Sequence, residues 1–141
     1  MSHRNILLSI FSVFTLICGS AWAQLEPQLT VKEIMNAMIT PATNTIWGAY
    51  QLQSDGEWQA VEDAALVVIG AANLLAHGGS GDGEIATAAD ADWQNYNQQM
   101  LAAAREVLTA VAQKDEEALS SAGNDALYPP CESCHQQFQV R

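Results

Sequence analysis

The sequence predicts an all-α protein built as an antiparallel four-helix bundle. Apolar residues recur at alternating spacings of three and four in four separate segments, which is the period of a helix with one buried face. Alternating runs of β-branched residues, which would indicate strands, are absent, and alanine dominates. The links between the four segments are short, and short links favour antiparallel neighbours in a bundle.

The N-terminal segment predicts an export signal that is removed from the mature protein. His3 and Arg4 precede an apolar run over residues 6–18, and Ala21 and Ala23 fit an A-x-A cleavage site. The run is shorter than the roughly 20 residues that a membrane span requires, although an uncleaved anchor is the alternative. We expect residues 1–23 to be cleaved and residues 24–141 to form a single periplasmic domain without membrane insertion.

The charge of the chain excludes some partners and indicates others. The full sequence of 141 residues has 5 basic and 16 acidic residues, a net charge of −11. Cleavage after Ala23 removes one arginine and no acid, so 4 basic residues against 16 acidic ones give the mature chain −12. Such a surface repels phosphate backbones and excludes nucleic-acid binding. A protein partner is expected to offer a basic patch.

The first predicted helix covers about residues 30–53, with Thr30 and Glu33 as a capping box. Pro41 predicts a kink, or a stop with a restart capped by Thr40. The turn at residues 54–56 is expected to end this helix. Its predicted buried stripe is Val31, Met35, Met38, Ala42, Thr45, Ala49 and Leu52.

The second predicted helix covers about residues 57–76. Gly70 in this helix indicates close approach of a neighbour. The glycine-rich residues 77–83 that follow predict a flexible loop. The predicted buried stripe is Trp58, Val61, Ala65, Val68, Ala72 and Leu75.

The third predicted helix covers about residues 90–113, and the fourth begins near Asp115. Gly123 weakens the fourth helix, and Pro129-Pro130 is expected to end it, because a residue before proline is pushed out of the α region. A new short helix is then expected over about residues 130–139. The buried stripe of the third helix is predicted to be Trp93, Tyr96, Met100, Ala104, Val107 and Val111.

The motif that carries chemistry is Cys131-Glu132-Ser133-Cys134-His135, the C-x-x-C-H signature of covalent haem attachment. On a helix, residues three apart lie on one face, so both thiols can reach the two vinyl groups of one porphyrin. His135 lies beside them and can ligate the iron. The sequence therefore predicts one haem c, bound by thioethers from Cys131 and Cys134, with His135 as the axial ligand.

Three further interpretations of the motif stay open at this point. A disulfide between cysteines three apart closes a very small loop and stabilises little. A thiol–disulfide redox motif normally begins a helix in an α/β fold, which the sequence does not predict. A zinc site requires a fourth ligand beyond the three that are close in sequence.

An exported four-helix bundle with one C-x-x-C-H motif close to its C-terminus resembles the class II cytochromes c, the cytochrome c-prime group. Phe138, three residues after the histidine, matches an aromatic residue often found there. The resemblance implies a haem packed inside one end of the bundle, and commonly a homodimer. Members usually have an unbroken last helix and a basic residue soon after the motif, whereas this chain has Pro129-Pro130 and no basic residue before Arg141.

The function depends on the sixth position of the iron. Bundle topology places Met35, Met38, His77 and Trp93 at the haem end. Members of the family with a methionine ligand take it from this part of the first helix, so Met35 is the first choice and Met38 the second. A thioether ligand gives a low-spin haem of raised potential. Both methionines acting as core residues is the alternative.

The expected function is one-electron transport in the periplasm, without enzymatic turnover. The alternative is a five-coordinate haem protein that binds small gases such as nitric oxide or carbon monoxide, with Ile34, Met35 and Met38 as a lid. A haem-free interaction module is a third hypothesis. The tryptophans Trp47, Trp58 and Trp93 are expected to pack against the core or the porphyrin, and Tyr128 is expected near the attachment site.

Overall fold

A computed structural model describes residues 26–139, and the export signal predicted for residues 1–23 lies outside that range. The described residues form helices and no strand, so the predicted all-α class is confirmed. We number the five helices in chain order. They are α1 at residues 31–47, α2 at Asp55–Leu75, α3 at Glu84–Ala88, α4 at Ala91–Gln113 and α5 at residues 116–138. The short helix α3 has no counterpart in the sequence prediction.

The two central helices, α2 and α4, agree closely with the predicted periodicity. All six predicted stripe residues of α2 are buried, and so are those of α4 apart from the half-buried Tyr96. Both stripes contain alanines, such as Ala65 on α2 and Ala104 on α4, which are fully buried. Small side chains let the two helix backbones approach closely, and this pair forms the centre of the core.

Two details predicted for α2 are wrong. Ser54 does not end the preceding helix: its hydroxyl accepts a hydrogen bond from the Glu57 N–H and caps α2, which places Gly56 in the first turn. Gly70 does not mark the approach of a neighbour, because a Cβ built there meets no atom within 4 Å.

Helix α1 begins as predicted, but it continues through Pro41 instead of stopping before it. Thr30 and Glu33 form the predicted capping box. The helix neither stops nor restarts at Thr40, because Met35–Ile39 form a π turn in which the Thr40 N–H bonds to the Met35 carbonyl. Proline supplies no N–H of its own, and the wider turn before it keeps the helix continuous. The helix then ends at Trp47, well before the predicted position 53.

The π turn also changes which side of α1 is buried. An i→i+5 turn advances the helix by one extra residue, so a stripe read at spacings of three and four loses its phase there. The buried side chains are Ile34, Ile39, Ala42, Thr43 and Ile46, of which only Ala42 belongs to the predicted stripe.

Helix α5 contains the second π turn, and it corrects the prediction of a break. Ala122–Leu127 is π-helical, and Tyr128–Phe138 continues from it without interruption. The Tyr128 N–H bonds to the Gly123 carbonyl, so Pro129 and Pro130 enter the helix at positions where no donor is required. The expected separate helix at residues 130–139 is therefore the last part of an unbroken α5.

The glycine-rich loop predicted to be flexible is hydrogen-bonded to the chain before α1. The Ser80 N–H donates to the Leu29 carbonyl at 2.9 Å. One carboxylate oxygen of Glu84 accepts from the N–H groups of Val31 at 2.9 Å and Gly81 at 3.0 Å. Gly78 has a φ of +82°, and a side chain there would collide with the backbone at Glu84. This loop therefore fixes the start of α1 against the end of α2.

Among the described helices, α2 alone is long and apolar enough to cross a membrane by length and composition. Nearly half of its most apolar stretch, 44%, is buried inside the protein. Leu66 and Leu74 on its outer side are half exposed. A single chain does not test the homodimer that the family resemblance implies, which stays a prediction.

The capping box of α2 predicts a loss of stability in acid. The Glu57 carboxylate accepts from the Gln53 N–H and from the N–H and hydroxyl of Ser54, each at 2.8 Å. The Gln53 bond is the largest cause that holds the pKa of Glu57 below its ordinary value, followed by the bonds from Ser54. Because the folded pKa is lowered, this stabilisation is complete above the unfolded value of 4.5 and is lost as pH falls through the folded one.

We therefore expect Glu57→Gln to lower the melting temperature near neutral pH, with the difference from the wild type shrinking as pH falls below 4.5 and through the lowered folded pKa. Glutamine keeps an acceptor oxygen but cannot lose a charge by protonation. Glu106→Gln, at an exposed carboxylate in the middle of α4, is the control. A difference for Glu57→Gln that stays constant across the titration would contradict this assignment.

Candidate functional site

A cleft opens between α1 and the C-terminal half of α5, with the first turns of α4 behind it. Its empty volume is about 740 Å³, part of it open to solvent, and its walls are mostly apolar. The lining residues are Met35, Ile39, Thr40, Thr43, Asn44, Trp47, Leu75, Trp93, Tyr96, Asn97, Met100, Pro130, Cys131, Cys134 and His135.

All three chemically important residues of the C-x-x-C-H motif line this cleft. Cys131 and Cys134 lie one turn apart on the last part of α5, and His135 follows directly. Both cysteines are half-buried and free, while His135 is exposed. The helical spacing expected to bring the two thiols to one side is therefore present, and that side is the wall of an apolar cavity.

The environment of the two thiols differs from that of a redox-active pair. Burial raises the pKa of Cys131 to about 11, and the neighbouring Cys134 adds to the effect. Burial also raises the pKa of Cys134. Thiol–disulfide exchange depends on a lowered pKa at the start of a helix. The cysteines here begin no helix, because they follow the π turn of the continuous α5.

A zinc site at the motif would require a further ligand, and the described helices do not supply one. Within residues 26–139, no three side chains of histidine, cysteine, aspartate or glutamate are grouped so that they could hold a metal ion. The two thiols are also not joined to each other in a disulfide.

The wall opposite the motif comes from α1, and its π turn decides which residues take part. Met35 lines the cleft, followed by Ile39 and Thr40. Met38, expected on the same face as Met35, is not among the lining residues, because the wider turn rotates it away. Ile34, expected as part of a lid, is 2% exposed and belongs to the core instead.

Trp93 fixes the inner end of the cleft. Its indole is 6% exposed and donates to the Leu75 carbonyl at 2.8 Å, which joins the start of α4 to the end of α2. The Phe138 ring meets it edge-on, with the ring centres 5.4 Å apart. Gln137 beside it accepts from Tyr96 and donates to Asp92. These contacts hold the last turn of α5, and with it the C-x-x-C-H motif, against the first turns of α4.

Trp47, the last residue of α1, also lines the cleft. Its indole N–H donates to the Gly123 carbonyl at 2.9 Å, inside the π turn of α5. A Cβ at residue 123 would lie 3.3 Å from the Trp47 ring, so glycine lets the two helices meet closely. The Tyr128 ring contacts Trp47 edge-on, as expected from its place near the attachment site.

Some residues singled out from the sequence lie away from the cleft, and others were missed. His77 is exposed after the end of α2, and Trp58 packs at the start of α2; neither lines the cleft. Three polar residues that the sequence pattern did not indicate also line the cleft, because the altered phase of α1 brings them there. They are Thr40, Thr43 and Asn44.

Asn97 is a further lining residue that was missed. Its side-chain N–H donates to the Ala72 carbonyl, while its buried carbonyl oxygen has no hydrogen-bond partner among the described residues. A buried polar atom without a partner costs about 1–3 kcal/mol, so this atom is a costly feature of the cleft wall.

Comparisons with family models, with curated proteins and with solved structures gave no match.

The indole hydrogen bonds of Trp93 and Trp47 predict that replacement by phenylalanine destabilises the protein more at Trp93 than at Trp47. Trp93→Phe keeps an aromatic ring but removes the buried bond to Leu75 and should lower the free energy of unfolding by about 1–2 kcal/mol. Trp47→Phe removes an equivalent bond from an indole that is 39% exposed, where water replaces the lost partner more easily, and should cost less. Urea unfolding followed by circular dichroism measures both. A larger cost for Trp47→Phe would show that Trp93 does not anchor the site.

Proposed function

We propose that this protein is an exported c-type cytochrome that carries single electrons in the periplasm. The observation that supports the proposal best is that Cys131, Cys134 and His135 line the same apolar cleft. A covalent haem would need two thiols and one imidazole beside one apolar cavity, and the presence of these three residues along one cleft supports the proposal.

The residues of the cleft fit a haem in distinct roles. Cys131 and Cys134 would hold it through thioether bonds, and His135 would bind its iron. Ile39, Leu75 and Met100 would exclude water from its faces. When bound, the haem supplies a one-electron change at its iron, while the protein supplies ligation and a low-dielectric surrounding.

The contacts between helices support the finer part of the predicted fold, an antiparallel four-helix bundle of α1, α2, α4 and α5. The end of α2 meets the start of α4 at Leu75 and Trp93. The end of α5 meets the start of α4 at Phe138. These are the neighbours expected when successive long helices run in opposite directions.

Met35 is our choice for the sixth ligand of the iron. It lines the cleft together with His135, whereas Met38 does not. Met35 is half-buried, and its flexible thioether side chain can adjust to a group inside the cavity. A fixed pair of ligands keeps the haem low-spin in both oxidation states, as an electron carrier requires.

The proposed periplasmic location rests on the sequence of residues 1–23. The proposed partner rests on charge, because a mature chain of about −12 attracts proteins that offer a basic patch.

Absorption spectra of the oxidised and reduced mature protein, with and without carbon monoxide, test this proposal. We expect a low-spin spectrum that carbon monoxide leaves unchanged. Met35→Ala should give a high-spin spectrum that shifts with carbon monoxide, because the sixth position becomes open. Met38→Ala is the matched control and should behave like the wild type. A high-spin wild-type spectrum that shifts with carbon monoxide would contradict the carrier and favour the gas-binding alternative.

A further inference from the structure

Two exposed aromatic side chains border the cleft where α1 and α5 meet. Trp47 is 39% exposed and Tyr128 is 49% exposed. Their rings lie edge-on with centres 6.1 Å apart. Trp47 also lines the cleft, and Tyr128 precedes Cys131 by one helical turn. We call this pair the aromatic rim.

The aromatic rim is held in place although it faces solvent. The Trp47 N–H and the Tyr128 backbone N–H both donate to the Gly123 carbonyl. The indole bond fixes the Trp47 ring against the π turn of α5, and the Tyr128 ring packs edge-on against that ring. Exposed aromatic side chains that are already ordered lose little entropy on binding, and tryptophan and tyrosine are enriched among the residues that dominate protein interfaces.

The charges beside the aromatic rim are acidic. Glu132 lies one α-helical turn after Tyr128 and is exposed. Asp125 is also exposed and lies in the π turn just before Tyr128, where its carboxylate accepts a hydrogen bond from the Ser121 hydroxyl. The cations of the described residues lie elsewhere: Lys32 is in the first turn of α1, Arg105 is on α4, and Lys114 pairs with Asp55.

From this arrangement we infer that the aromatic rim, with Asp125 and Glu132, is the surface on which a redox partner docks. The inference rests on the proposed function and assigns the partner's contact surface. The partner is a protein with an apolar centre bordered by lysine or arginine, because such a surface complements both the rings and the carboxylates. Docking here brings the partner beside the cleft, one helical turn from Cys131.

The test uses tris(phenanthroline)cobalt(III), a trication with flat aromatic ligands that combines the two features expected of the partner. One electron passes from the reduced protein to Co(III), which gives Co(II) and the oxidised protein. At low ionic strength, the double variant Asp125→Asn/Glu132→Gln should react roughly three- to tenfold more slowly than the wild type. Tyr128→Ser should also react more slowly, because a ring that the ligands contact is lost.

The control removes the same amount of charge elsewhere. Asp63→Asn/Glu106→Gln alters two exposed carboxylates on α2 and α4 and should change the rate less than twofold. With the anion ferricyanide as oxidant, the Asp125/Glu132 variant should react at least as fast as the wild type. Equal rate losses for the two double variants with the cobalt complex would overturn the inference.

A second measurement does not depend on the reaction. The redox-inert chromium(III) analogue is paramagnetic and should broaden the Trp47 indole N–H signal in a nitrogen-15 NMR spectrum before that of Trp58, which is buried at the start of α2. Equal broadening of the two signals would overturn the inference while leaving the proposed function intact. A mature protein without bound haem would instead overturn the proposed function and, with it, the docking surface.

Discussion

The shape of the cleft depends on two π turns, each of which lets a helix continue through its prolines. Pro41 in α1 and the Pro129-Pro130 pair in α5 supply no backbone donors, and a π turn precedes each site. The turn in α1 brings Met35 to the cleft and removes Met38 from it. The turn in α5 keeps the helix continuous up to the C-x-x-C-H motif and offers the Gly123 carbonyl to Trp47. One local constraint thus shapes both walls, in agreement with the frequent occurrence of π turns at functional sites.

The sequence prediction was accurate for helices without proline and inaccurate for the two helices in which a π turn precedes the prolines. Helices α2 and α4 contain no proline, and their buried stripes were predicted almost residue by residue because a regular helix keeps its phase. In α1 the phase changes at the π turn, so Met38 was placed beside Met35. Ile34 lies before that turn and packs in the core, so its expected place in a lid is wrong for a different reason. In α5 the proline pair predicted a break that the π turn removes. The sequence carries no simple signal for a π turn, since its cost is balanced by tertiary contacts such as the Trp47–Gly123 bond.

The residues of the site also fall into two groups: those that the sequence could predict and those that only the packing of the helices brings together. Cys131, Cys134 and His135 could be selected from the sequence because their geometry is local: one helical turn decides it. The opposite wall is assembled from α1, α2 and α4, and residues such as Asn97 and Asn44 join it only through packing between helices. Local spacing therefore predicts the haem attachment, whereas the sixth ligand and the docking surface require the fold. The half-buried, free thiols, whose pKa values are raised by burial, differ from those of a thiol–disulfide exchange pair.

The most direct test of the central claim is the intact mass of the mature protein, produced in the periplasm together with a cytochrome c maturation system. We predict a mature chain that begins at Gln24, carries the added mass of one haem after denaturation, and has no thiol that reacts with an alkylating reagent. Cys131→Ala/Cys134→Ala should lose the added mass. A wild-type mass equal to that of the polypeptide alone, with two reactive thiols, would contradict covalent haem binding at this cleft.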